Sequence, residues 1–415
     1  MGHRTDLNRP ELLAPAGNFE RLETALCYGA DAVYLGGEDF NLRAQGQGFS
    51  WDELCLARKR TREHQVRLYY CLNILAQDRH LARIREDLSR LAGMDLDGLI
   101  VADPGVLDLA RDMAPTVPIH LSTQANTSNA SSVLFWQRQG VRRVNLAREL
   151  DLPSIRTIRS RAPDMELEVF VHGAMCMALS GRCLMSAHLN QRPANLGLCT
   201  YPCRFEYKVT GVALEERRRP GQPVWEVVRG QPYTRLLASE DLCLVKYLAW
   251  FARNGIDALK IEGRMKTSLY LAQVLDVYVT ALKDLHAGTF RPGTYLQELA
   301  QASSRALGTG LTLPRKRIFH QPGEVSEPRP VLAQLGQCRR EAEWSVRVKS
   351  RWESSKPVHI LVPGLERPRL SPGDYVLESL SGARLDVVHS GQEARLRCDH
   401  PQLAAWRLLR LAPEG

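Results

Sequence analysis

Apolar and polar positions alternate in blocks along most of the chain. "ELLAPAG" reads as a strand ending at Pro15 and Gly17. In "NFERLETALCYG", Phe19, Leu22, Ala25 and Leu26 share one helical face, with Asn18 as N-cap and Gly29 as stop. "DAVYLGG" is a second strand, and a helix is predicted from Trp51 to about His64. The beat continues through the strands "VRLYYCLNIL", "LDGLIVAD", "VPIHLST", "VRRVNLA" and "ELEVFVHG", with amphipathic stretches between them. Pro104 opens the helix after the fourth strand. The eighth strand, "IDALKIEG", arrives only near residue 260, followed by the helical "LYLAQVLDVYVTALKDLHAG".

Eight strand–helix units predict an α/β fold, a (β/α)8 TIM-like barrel. The rival is an open doubly wound sheet. No G-x-G-x-x-G follows the first strand, which weakens a dinucleotide fold. The beat breaks between strands seven and eight, where a hairpin through "FEYKVTG" and "VWEVVRG" and a helix over "SEDLCLVKYLAWFARNG" are expected. Beyond residue 308 the chain turns Pro-rich and charged. Period-two alternation then runs through "WSVRVKSR", "PVHILVPG", "GDYVLES" and "EARLRCDH". The expected organisation is a barrel over residues 1–308 with an insertion at about 174–257. A linker over 309–330 and a small C-terminal all-β domain over 331–415, barrel or sandwich, complete it.

The 415 residues carry a formal net charge of +9. Such a balance suits nucleic acid or anionic metabolites, although solvated basic surface has the same composition. The runs "EERRRPG" and "PRKR" are read the same two ways. No apolar run reaches the ~18–20 residues of a membrane span, and the N-terminus has no signal-peptide core. A cytoplasmic protein without a membrane partner is expected.

The break holds four of the ten cysteines: Cys176, Cys183, Cys199 and Cys203, spaced C-x6-C-x15-C-x3-C. In a reducing compartment, clustered thiols point to metal or catalysis rather than disulfides. Structural zinc usually shows two tight pairs, and only Cys199 and Cys203 form one, so the spacing favours an iron–sulfur cluster over zinc. Cys243 is an alternative fourth ligand, or a core residue among Leu242, Leu244 and Leu248. Cys27, Cys55, Cys71, Cys338 and Cys398 read as ordinary small hydrophobes.

Barrel active sites lie at the C-terminal ends of the strands. The candidates there are Arg43, Asn73, Asp103, His120, Gln124, Arg148, His172, Glu262, Arg264 and Lys266. Arg264 and Lys266 suit a carboxylate or an RNA phosphate. His172, Glu262 and Asp103 are the candidate proton-transfer groups, with Arg43, Asn73, His120, Gln124 and Arg148 as substrate contacts. Each also has a structural reading, as an interior hydrogen bond or a solvated arginine.

"ELLAPAG", "DAVYLGG", "FNLRA", "VFVHGAMCMALSGRCLMS", "LGLCTYPCRFEYKV", "SEDLC" and "LKIEGRMK", in that order, resemble peptidase family U-32 over nearly the whole chain. The resemblance is strongest to its tRNA-hydroxylating members. It implies a 4Fe–4S cluster on Cys176, Cys183, Cys199 and Cys203, with Cys243 as the alternative fourth ligand. It also implies formation of 5-hydroxyuridine at the tRNA wobble position, without molecular oxygen and with prephenate as co-substrate. Hydroxylation of a ribosomal RNA cytidine or a quinone ring is the neighbouring expectation. The family label brings a peptidase reading, for which the sequence has no H-E-x-x-H and no G-x-S-x-G. A zinc-stabilised RNA-binding protein is the non-enzymatic alternative.

Overall fold

The structure, a computed structural model, describes residues 9–42, 48–176, 178–205, 240–303, 305–313, 318–320, 329–340 and 342–413. Eight parallel strands close a barrel. They are β1 (Glu11–Pro15), β2 (Ala32–Leu35), β3 (Arg67–Leu72), β4 (Gly98–Val101), β5 (Ile119–Leu121), β6 (Arg143–Asn145), β7 (Glu166–Ala174) and, after a short β8 (Asp241–Cys243), β9 (Ala258–Ile261). Closure is made by β9, which pairs parallel with both β7 and β1. The eighth barrel strand of the sequence pattern is therefore β9.

The helices between strands are α1 (Phe19–Cys27), α2 (Trp51–Glu63), α3 (Asp78–Ala92), α4 (Pro104–Met113), α5 (Ala130–Arg138) and α6 (Leu152–Arg161). Then come α7 (Met185–Asn190), α8 (Leu248–Arg253), α9 (Ser268–Ala287) and α10 (Pro292–Ala302). Local sequence explains their starts. Asn18 accepts from the Arg21 N–H at 3.0 Å, and Ser50 with Glu53 closes a capping box ahead of α2. Asp103 caps α4, accepting from the N–H groups of Gly105 and Val106, with Pro104 in the first turn.

Period-two alternation divides the strands between two cores. Leu12, Val33, Leu35, Leu68, Leu99, Leu121, Val144 and Leu259 face the helices. Leu13, Ala32, Tyr34, Tyr69, Cys71 and Ile100 pack together as a separate cluster. β7 has nine residues, more than any other barrel strand, and is irregular between Phe170 and His172. Its end projects past the barrel, where His172–Ala174 pairs antiparallel with β8. Cys243 thus lies on a strand, not in the helix expected over "SEDLCLVKYLAWFARNG"; that helix is shortened to α8. The pairing satisfies backbone groups that an isolated β7 end would leave open. β8 continues to β10 (Leu307–Gly308) and β11 (Ile318–His320), so a strand falls inside the stretch read as linker. The expected hairpin, from residue 206 onward, and both arginine runs lie outside the described residues.

The C-terminal strands are β12 (Val331–Arg340), β13 (Glu343–Val348), β14 (Trp352–Glu353), β15 (Val358–Leu361), β16 (Arg369–Leu370), β17 (Val376–Glu378), β18 (Val387–Val388), β19 (Glu393–Arg397) and β20 (Leu408–Leu411). Seven form one antiparallel sheet in the order β16-β15-β20-β12-β13-β19-β17, and β14 pairs with β18. The sheet has its own core around Trp352, Leu377 and Leu396. It docks on α1, α9 and α10. The Tyr28 hydroxyl donates to the Leu361 carbonyl at 2.9 Å. Asp276 on α9, 1 % exposed, accepts from the N–H groups of Gly364 and Leu365 and pairs with Arg367 at 2.8 Å.

Breaking a buried charge pair from one side strands the other charge. Asp276→Ala should therefore lower unfolding stability by about 3 kcal/mol, read as a shifted urea midpoint. An unchanged midpoint would show that this contact does not hold the sheet to the barrel.

Candidate active site at the barrel mouth

Charged groups fill the lower half of the barrel. Glu11 on β1 binds Arg143 on β6 at 2.6 Å and also pairs with Arg67. Arg143 reaches Glu166 at 2.9 Å and Glu168 on β7 at 3.6 Å. Glu168 in turn accepts from the Lys260 ammonium at 2.8 Å. Glu11, Arg143, Glu168 and Lys260 are all buried. His120 packs edge-on against Tyr69, with ring centroids 4.6 Å apart. Burial, then the nearby Arg143 and Lys260 charges, holds its imidazole well below its ordinary range, so it is neutral there.

Above this layer lies a cavity of about 100 Å³. Lys260 is at its floor, 4.5 Å from the centroid of the Tyr34 ring and 5.6 Å from that of Phe170. Arg148 stacks on the other part of the wall, 3.8 Å from the Phe170 centroid. It also donates to the Ala174 carbonyl at 3.3 Å and pairs with Glu262 at 3.4 Å. The Arg264 guanidinium is buried and bonds the Asn41 carbonyl oxygen. Asn73 joins Ser122 at 3.4 Å and accepts from the Leu42 N–H. Two glycines permit this crowding. A Cβ on Gly17 would collide with the Arg264 carbonyl, and one on Gly173, at φ +109°, would collide with the Glu262 carbonyl.

The cysteine segment covers this mouth. Cys183 and Cys199 line the cavity together with Ser180 and Gly181. Ser180 is tied down by Glu149, which accepts from both its N–H and its hydroxyl. Gln124 donates to the Gly181 carbonyl at 3.4 Å and accepts from Arg182 at 2.7 Å through its own carbonyl. The Tyr201 N–H points at the Cys199 sulfur, 3.4 Å away. Cys176, Cys183, Cys199 and Cys203 are all half-buried. Among the described residues, no three histidine, cysteine or acidic side chains stand close enough to hold a metal ion as they lie. The donor set still fits an iron–sulfur group chemically. It offers four reduced thiols on one segment, two of them at the cavity, and one with a backbone N–H aimed at its sulfur.

The expected residues therefore divide. Asn73, Gln124, Arg148, Glu262 and Arg264 line the cavity with Cys183 and Cys199. Lys266 does not line the cavity and pairs with the buried Asp241 carboxylate at 3.6 Å. Three departures have physical reasons. The Asp103 carboxylate is engaged in capping α4. His120 belongs to the barrel interior below the cavity. His172 lies behind the wall between Tyr270 and Tyr278, its Nδ1 3.4 Å from the Tyr278 hydroxyl. Burial pushes its pKa down to about 4, so at neutral pH the ring is uncharged and is not an imidazolium acid. Its carbonyl accepts from the Glu262 N–H at 2.8 Å, which positions Glu262. Cys243 is 0 % exposed in the apolar core, and burial pushes its thiol up to about 12. Arg43 lies outside the described residues.

Sequence reasoning missed Lys260, Glu168, Arg143 and Glu11, and the aromatic walls Tyr34 and Phe170. A signal was present. Each of the four is a charged residue within a barrel strand, two acids matched by two bases.

Similarity to known proteins decides the family. A model of peptidase family U32 matches residues 17–321. The tRNA hydroxylation protein P of Escherichia coli (strain K12) is 33% identical over 393 residues, 86% of each chain. The chain belongs to peptidase family U32. Other U32-like relatives carry two kinds of name. The tRNA hydroxylation protein P1 of Bacillus subtilis (strain 168) is 38% identical over 277 residues, 67% of this chain and 64% of its own. A protein of Porphyromonas gingivalis (strain ATCC BAA-308 / W83) named collagenase is 29% identical over 329 residues, 75% of each.

The two neutral histidines give this U32 protein a defined acid response. In the unfolded chain His172 takes up a proton near its ordinary 6.5, whereas in the fold it does so only near 4. Between those values the unfolded state binds more protons, so stability falls as pH falls. His120 adds in the same direction. His172→Gln should remove about 1.4 kcal/mol per pH unit of that slope. Urea midpoints measured from about pH 6.5 down to about pH 5 check it; an unaltered slope would place the His172 pKa elsewhere.

Proposed function

We propose that this U32 protein is an enzyme that hydroxylates tRNA, forming 5-hydroxyuridine at the wobble position without molecular oxygen. The observation that carries the reading is the mouth cavity. Its roughly 100 Å³ is well below the ~300–1,000 Å³ of a drug-sized site. It accommodates one ring rather than a length of peptide, as an enzyme working on an extruded base requires. The names of the E. coli and B. subtilis relatives support tRNA as the partner. The collagenase reading has less support. Ser180 is engaged by Glu149 and Asn126, and His172 is held at Tyr278 behind the wall.

The chain's own residues do the binding and positioning. Tyr34 and Phe170 give a base an aromatic wall, and Asn73, Ser122 and Gln124 offer polar groups for its edge. Lys260, Arg148 and Arg264 make the cavity electropositive. Prephenate is the proposed anionic co-substrate, a class of molecule that arginine forks suit through its carboxylates. Glu262, fixed by Arg148 and by the His172 carbonyl, is the group placed to take a proton from the ring. A 4Fe–4S cluster, when bound by Cys176, Cys183, Cys199 and Cys203, would supply electron transfer or a Lewis-acidic iron at the mouth. Cys243 is assigned to the core rather than to this set. Among the described residues no helix is long and apolar enough to cross a membrane; a cytoplasmic location is part of the proposal.

Nucleoside mass spectrometry of tRNA from a strain lacking the gene tests this reading. The 5-hydroxyuridine family of nucleosides should disappear and return on complementation with the wild-type gene. Complementation with Arg148→Ala should restore less than about a tenth, since loss of one positioned charge contact costs of order ten-fold or more. An unchanged nucleoside profile in the deletion strain would refute the function.

A further inference from the structure

A second and larger cavity, about 600 Å³, lies between the barrel and the C-terminal sheet. It opens where α1 and α9 begin and is faced by the chain ahead of β12, the turn after β13 and the end of α10. Its charged lining is Arg21, Arg329 and Lys349 against a single carboxylate, Glu20. That carboxylate is already engaged. Burial works against its charge, yet bonds from the Ser268 hydroxyl at 2.5 Å and the Lys349 ammonium at 3.0 Å hold it below the usual range. Arg347 adds a further pairing at 3.5 Å. Arg329 has no hydrogen-bond or ion-pair partner among the described residues and is half-buried at the cavity wall. The lining therefore carries surplus positive charge inside a partly enclosed space, where screening is weak.

The cavity shares no lining residue with the active-site mouth but adjoins it at Arg264. The Arg21 guanidinium donates to the Arg264 carbonyl at 3.1 Å, and the Arg264 side chain lines the mouth. One residue thus separates the two spaces. The backbone of a polymer whose base occupies the mouth would pass Arg264 on its way to this cleft.

We propose that the cleft between α1, α9 and the C-terminal sheet holds a backbone phosphate of the RNA strand whose base enters the barrel mouth. The occupant is a phosphodiester, recognised by Arg329 with Arg21 beside it. The proposal rests on the tRNA reading above. In it, the C-terminal sheet serves to present Arg329 and Lys349 across from the barrel. Such a contact fixes register without reading sequence.

The test is fluorescence-anisotropy binding of an unmodified anticodon stem–loop across a range of salt. Proteins compared are the wild type, Arg329→Glu, Arg329→Lys and a charge-reversal control, Arg369→Glu, at an exposed position on β16 that lines neither cavity. Arg329→Glu should weaken binding about ten-fold at ~0.1 M salt and lower the log–log salt slope by about one. Arg329→Lys keeps the charge that neutralises a phosphate and should stay within about two-fold of wild type. Equal losses in Arg329→Glu and Arg369→Glu would overturn the proposal and leave the tRNA reading standing. Failure of the wild type to bind the stem–loop would overturn both, and it shows in the wild type alone. Unchanged thermal midpoints in the variants separate lost contact from lost fold.

Discussion

Two acids and two bases locked together inside the barrel set the height of everything above them. Glu11, Arg143, Glu168 and Lys260 come from four strands and form one chain of contacts from the first strand to the last. Each charge is costly to bury alone and tolerable only in company. The chain of contacts fills the interior beneath the mouth cavity. It also turns Lys260 upward, between two aromatic rings, so the floor of the cavity is cationic. The polar groups of the mouth then rest on a floor that cannot sink without stranding a charge.

A second constraint comes from the projecting end of β7. A strand longer than its neighbours leaves backbone groups unpaired, and β8 satisfies them. That pairing draws Asp241 and Cys243 to the barrel and places Lys266 beside Asp241. The insertion that carries the thiols is thereby anchored at both ends, by β7 before it and β8 after it. Glu149 and Gln124 pin its middle.

Much of the architecture was legible in the sequence because it depends on local signals. The strands show as apolar runs, helix starts as Asn18 and Pro104, and the mouth as the polar residues after each strand. What was not legible depends on partners distant in the chain. Nothing around His172 reveals that two tyrosines of α9 enclose it. Asp103 looks equally like a catalytic acid and a helix cap until the strand end is placed. "SEDLC" carries helical spacing, and only the open edge of β7 makes it a strand. The interior charges were visible but were passed over, because a charge in a short strand reads as surface until the barrel is closed around it.

The thiol segment joins the fold to the chemistry proposed for it. Cys183 and Cys199 face the space where a ring would sit, whereas Cys243 is sealed in the core with a thiol that resists ionisation. The most direct measurement is iron and sulfide content with the visible spectrum, after strictly anaerobic purification, for wild type, Cys203→Ser and Cys243→Ser. The account predicts about four iron and four sulfide per wild-type chain, retention in Cys243→Ser and loss in Cys203→Ser. A wild-type protein without iron and sulfide, or a cluster lost with Cys243 and kept without Cys203, would contradict it.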